Sequence, residues 1–305
     1  MSFLTHMNGS RIVDDYPREA TTLANEVYDE NSTELEPWRC IPRDAELCDW
    51  IRVYPWTRRT PTTREHRVFF ADSIRKPPRP NSPWSVSLSL YGFIDGMNLS
   101  PTGNWDLQES SAAKAIQWVR LSGGPRPDPF NAQADAIVAL EQHIVGMLRG
   151  GGLPVQVQDA MLAQRRRSLF LSRRVFEKVN SSTPPPLPVT GPAAQMVNKW
   201  RMTSTVKLGY RHDDLQLKSC AATKFSPGDF VQAIVKFVVV AKELRRNEPP
   251  QVSVHLNLIS LMRLVAARNV PLMMPAEGNA MVEDKLEDSV SHLFEETIDE
   301  GPEIC

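Results

Sequence analysis

With 305 residues, 41% of them hydrophobic, the chain is long enough to bury a substantial core, and seven tryptophans with 23% charged residues exclude wholesale disorder. No apolar run approaches a membrane span, and Cys40, Cys48, Cys220 and Cys305 match neither a disulfide framework nor a zinc spacing, so metal and cofactor chemistry have no signature here. The net charge of -1 hides a sorting: residues 1–36 carry -6 and residues 276–305 carry -9, which leaves +14 on residues 37–275.

In chain order, residues 1–36 read as an acidic flexible arm with one short helix around 20–28. Residues 37–180 read as a Trp- and Arg-rich α+β subdomain. Its first part, to Trp84, is dense in proline and predicts an extended connection with a short strand at Arg67–Ala71. Trp84, Val86, Leu88 and Leu90 alternate with serines, the pattern of a strand with one buried face, and Asp95-Gly96 predicts a tight turn after it. A helix is expected over Ser110–Leu121. Another starts at Pro129 behind a capping Asp128, with Ile137, Leu140 and Ile144 on one side and Gly150–Gly152 as its stop.

The stretch AQRRRSLFLSRRVFEK, from Ala163 to Lys178, holds six basic side chains against one acidic. Helical phasing over Val157–Val179 places Leu162, Leu169 and Phe176 together and turns Arg167, Arg174 and Lys178 outward, with Arg166 and Arg173 at the border and Arg165 as a misfit that must snorkel. Residues 181–193 are a Pro-rich linker. Residues 194–275 read as a second α+β subdomain: a hairpin from Trp200, a helix capped by Ser226-Pro227 and running to Arg246 with a buried strand as its alternative, a strand at Val252–Leu258, and a short helix near Ser260–Arg268. An echo between Trp84…AIQWVRL and Trp200…AIVKFVVV has the pattern of two related subdomains. The acidic tail, 276–305, carries Leu286, Val290, Leu293 and Phe294 at helical spacing.

The expected fold class is therefore α+β, antiparallel hairpins packed with several helices. No catalytic or metal motif accompanies it. His212-Asp213-Asp214 is the best local titratable cluster, and an enzyme would have to assemble a site from His212, Asp213 and Cys220; a hairpin turn and an inert thiol explain the same residues more simply. The reading that remains is a non-enzymatic assembly protein, viral matrix-like in texture although no family motif carries that, self-associating and residing in cytosol, nucleus or virion. Its polyanion contact, to nucleic acid or an anionic membrane, falls to Arg165, Arg166, Arg167, Arg173, Arg174 and Lys178, joined by Arg58 and Arg59 of the Arg52–Lys76 segment, where Trp56, Phe69 and Phe70 are interleaved. Surface charges of this kind are commonly just solvated or ion-paired. A regulatory adaptor would instead use the linker and the tail to hold a protein partner.

Overall fold

The computed structural model describes residues 2–3, 47–58, 63–77, 83–125, 127–148, 164–179, 192–195, 197–211, 217–242 and 251–270. Its strands are β1 (Ser2–Phe3), β2 (Ile51–Arg58), β3 (Thr63–Phe70), β4 (Ser87–Asn98), β5 (Ile116–Ser122), β6 (Leu169–Arg174), β7 (Phe176–Lys178), β8 (Trp200–Met202), β9 (Lys207–Arg211), β10 (Leu217–Ser219), β11 (Phe230–Lys242) and β12 (Gln251–Val265). Ten of them join one sheet, and β7 pairs with β8 apart from it. Among the described residues there is one long helix, α1 (Pro127–Leu148). The α+β expectation with several packed helices is thus corrected to a mostly β protein.

The sheet closes on itself. β4 pairs antiparallel with β5, β5 with β6, β11 with β4 and β12 with β11. β6 and β12 then meet in parallel at Ser172 and Asn257, which completes a ring of five. Three successive strands followed by a fourth that returns beside the first is the Greek-key order, and β12 fills the remaining gap; this is a small barrel of the OB type. Closure satisfies the strand edges that an open sheet would leave bare. The β2–β3 hairpin extends the wall from β11, the β9–β10 hairpin extends it from β12, and β1 lies along β4. Strands β4 to β6 precede the 181–193 linker and β11 and β12 follow it, so both halves of the chain build one barrel.

Two-residue periodicity decides the elements that helical phasing misassigns. In β11 the burial alternates without interruption from Val231 to Lys242, with Val231, Ala233, Val235 and Val239 fully enclosed. The expected helix over Ser226–Arg246 cannot start, because Gly228 takes φ +87° and the Asp229 carboxylate accepts from the backbone N–H groups of Ser226, at 2.9 Å, and Ala267, at 2.8 Å, closing a turn rather than a cap. The helix over Ser110–Leu121 becomes a short 3-10 segment, Glu109–Lys114, and then β5. The helix over Val157–Val179 survives among the described residues only as a turn at 164–167; beyond it Leu169 and Leu171 face the barrel interior and the chain is extended.

Asp95-Gly96 does not turn the chain. A register shift between Ile94 and Gly96 absorbs one residue as a bulge and β4 runs on to Asn98. Pro55 sits in β2 at the sheet's end, beside another register shift, where a missing N–H costs little. The strand at Val252–Leu258 continues to Val265, which replaces the short helix expected near Ser260–Arg268 by strand and a 3-10 turn. Helix α1 forms as its spacing predicts, with Phe130, Ala134, Ile137, Leu140 and Ile144 completely buried; Asp128 lies inside its first turn. The 20–28 helix, the hairpin turn at His212-Asp213-Asp214, the tail and the linker up to residue 191 lie outside the described residues.

Candidate functional site

The outer wall of β4, β5 and β6 holds the arrangement that sequence reasoning missed. Val119 and Leu121 on β5, with Leu169 and Leu171 on β6, point inward and are fully buried, so Trp118, Arg120, Phe170, Ser172 and Arg174 belong to the exterior. Residues opposite one another on neighbouring strands share a face, and the register sets Trp118 against Asn98 and Ser172, and Arg120 against Gly96 and Phe170. The rings of Trp118 and Phe170 lie stacked, centroids 5.7 Å apart at 27°. A Cβ at Gly96 would stand 3.4 Å from the Trp118 six-membered ring, so this glycine is the gap over which the indole lies. Both rings are half-buried.

Arg120 borders the pair. Its Nε donates to Asp95 Oδ2 at 2.7 Å, but the two side chains are 38% and 48% exposed, and such a pair in water holds its partners weakly. Beneath the wall, Gln117 is only 2% exposed yet satisfied: its Nε2 donates to the carbonyls of Leu99 and Ser100, and its Oε1 accepts from the Val206 N–H. That network ties the chain after β4 and the approach to β9 to the strand carrying Trp118, which makes the platform rigid.

The predicted arginines part company. Arg165 Nη2 donates to Glu141 Oε1 at 2.7 Å, and Arg166 grips Asp135 through two hydrogen bonds of 2.8 Å, both carboxylates standing on α1. Arg167 is exposed beside them, and Lys178 is exposed on β7. Glu141 is 4% exposed, and burial pushes its carboxyl up to about 7 although Arg165 pulls it down. Arg174 faces outward opposite Ile116. Arg173 donates to Ser204 Oγ and, at 3.4 Å, to the Leu258 carbonyl. Arg59 and the side chains of Arg58 and Trp56 lie outside the described residues. Phe69 and Phe70 are buried and serve the core, whereas Tyr54 of the same segment is 49% exposed; Trp84, 39% exposed, is covered by the Arg75 guanidinium at 4.2 Å.

His212 and Asp213 lie outside the described residues. Cys220 lines a cavity of about 910 Å³ with Leu208, Leu261 and Met262. Burial raises its thiol pKa against the pull of Arg263 and Lys224, the reverse of what activates a nucleophile. Among the described residues no three His, Cys, Asp or Glu side chains gather as a metal site.

No family model and no curated protein matches the chain. Among solved structures it is similar to the single-stranded DNA-binding protein from bacteriophage Enc34, at 8% identity and TM-score 0.28 over 73% of this chain and 96% of that one. A structure of that protein in complex with ssDNA is similar at 10% identity and TM-score 0.25, over 70% and 94%. Likeness at this level carries no weight for function, and the barrel wall is judged by its own residues.

Proposed function

We propose that the chain binds single-stranded nucleic acid on the outer wall of β4, β5 and β6, with bases stacking on Trp118 and Phe170. The observation that supports this is the ring pair itself: two large aromatics stacked on each other outside a barrel, with Arg120 and Arg174 on the same face. Stacking on protein rings needs bases freed from a duplex and tolerates any sequence, while guanidinium groups hold the phosphates. The second and third strands of an OB barrel are where such folds place oligonucleotides; this is an analogy of architecture, and the rings and charges carry the reading.

The test is anisotropy of a labelled oligothymidylate together with quenching of tryptophan fluorescence. Binding of the single strand, weaker for the matching duplex, is expected. Joint replacement Trp118→Ala and Phe170→Ala should remove about 1–3 kcal/mol per stacked base. Equal affinity for duplex and single strand, or undiminished binding by the double variant, overturns the reading.

A further inference from the structure

The cavity beside Cys220 lies apart from the stacking platform, since neither Trp118 nor Phe170 lines it. It opens between the chain after β4, β9, the segment after β10 and residues 260–262 of β12. Its floor belongs to the core: Val206 and Leu261 are buried, and Leu208, Cys220 and Met262 pack partly buried against the main cluster. The Gln117 amide that reaches it is already committed to Leu99, Ser100 and Val206. Lys207 and Lys218 supply its charge, and no carboxylate stands among the described residues that line it. An apolar hollow of about 910 Å³ flanked by cations fits an apolar segment with acidic borders.

The chain carries such a segment. Residues 276–305 hold ten acidic side chains and one basic. At 100° per residue Leu286, Val290, Leu293 and Phe294 share one side, Glu287 and Glu296 fall at its two borders, and Asp284, Asp288 and Glu295 point away. A helix this short is marginal in water alone and needs a surface on which to bury its stripe. Reach is no obstacle: Met262 lines the cavity and the described chain runs to Val270, at most about 29 Å from it, while the residues from Val270 to Leu286 can extend about 50 Å. We propose that residues 286–296 dock in this cavity of their own chain as an amphipathic helix, with the four apolar side chains on its floor and Glu287 and Glu296 beside Lys207 and Lys218. Apolar burial supplies the affinity, and the lysines select the segment and its direction, since exposed ion pairs are individually weak. A helix seated there leaves the rings of Trp118 and Phe170 uncovered, so it docks whether or not the outer wall binds nucleic acid.

The test is the reactivity of Cys220 in the full chain, read by mass spectrometry of its peptide after iodoacetamide treatment, with the exposed Cys48 as internal standard. Val290→Asp together with Leu293→Asp leaves the cavity itself intact, so a several-fold faster labelling of Cys220 is expected from uncovering alone. Unchanged labelling overturns the proposal and leaves the cavity to another occupant. Carbodiimide coupling supplies a second measurement: amide bonds from Lys207 or Lys218 to Glu287 or Glu296 are expected within one chain, and lost in the same double variant. Mixing isotopically labelled with unlabelled protein separates the sources. Bonds formed only between chains assign the cavity to the tail of a second copy and overturn docking within the chain.

Discussion

Arg165 and Arg166 at one end of a basic run, and Arg173 near its other end, look alike in sequence and differ completely in the folded chain. The first two each meet a carboxylate of α1: the buried Glu141 holds Arg165, while Asp135 holds Arg166 in an exposed pair as weak as that of Arg120 with Asp95. Arg173 stands opposite the buried Gln117 of β5, with a hydroxyl and a carbonyl as its acceptors. Charge density along a chain is thus a poor guide to a binding surface. What matters is which charges remain unanswered after the fold has brought up its carboxylates.

That contrast can be broken in three ways. The largest effect is expected from Arg165→Met, which strands a buried carboxylate: roughly 3–5 kcal/mol of stability is lost at pH 8 by chemical denaturation, less at pH 5 where Glu141 is protonated, with oligonucleotide affinity of the folded protein unaltered. Equal losses at both pH values would show that the pair is not what matters there. Next comes the pH profile. The folded carboxyl of Glu141 titrates near 7, above the ordinary 4.5, so its contribution to stability is full below pH 4.5, declines as pH rises toward 7 and is gone above it. The decline amounts to about 3 kcal/mol, and Glu141→Gln should flatten it in denaturation curves taken across that window. The smallest effect belongs to Arg166→Gln: its exposed pair with Asp135 is surface chemistry, and neither melting temperature nor the salt dependence of oligonucleotide binding should change. A weaker salt dependence would place Arg166 in the interface after all.

Strict alternation is legible wherever one side of a strand is polar. The serines between Val86 and Leu90, and the Ser253, His255 and Asn257 series, announce β4 and β12. Helix α1 is equally plain from its start signals and its apolar stripe. The misreadings cluster in β5, β6 and β11, the strands whose outer residues are themselves apolar or aromatic: Ile116, Trp118 and Phe170 on β5 and β6, Ile234, Val238 and Val240 on β11. With apolar residues on both faces the two-residue rhythm is masked, and the seven-residue spacing of Leu162, Leu169 and Phe176 imitates a helix. Trp118 and Phe170 escaped notice for the same reason. The available signal was Phe170 in the midst of RRRSLFLSRR, an aromatic at the centre of the strongest basic run.

By itself the sequence determined a sizeable core, several strands, one long helix and a basic middle, because hydrophobic periodicity and net charge are local properties. Barrel closure, the meeting of two aromatic rings on its outside, and the fate of each arginine were decided only by tertiary structure. The reason is distance along the chain: Arg165 finds its carboxylate 24 residues away, Arg166 31 residues away, and Arg173 reaches a carbonyl 85 residues away. No local pattern encodes such meetings, since strand pairing and charge neutralisation are settled by whichever partners the packed chain brings within a few ångströms.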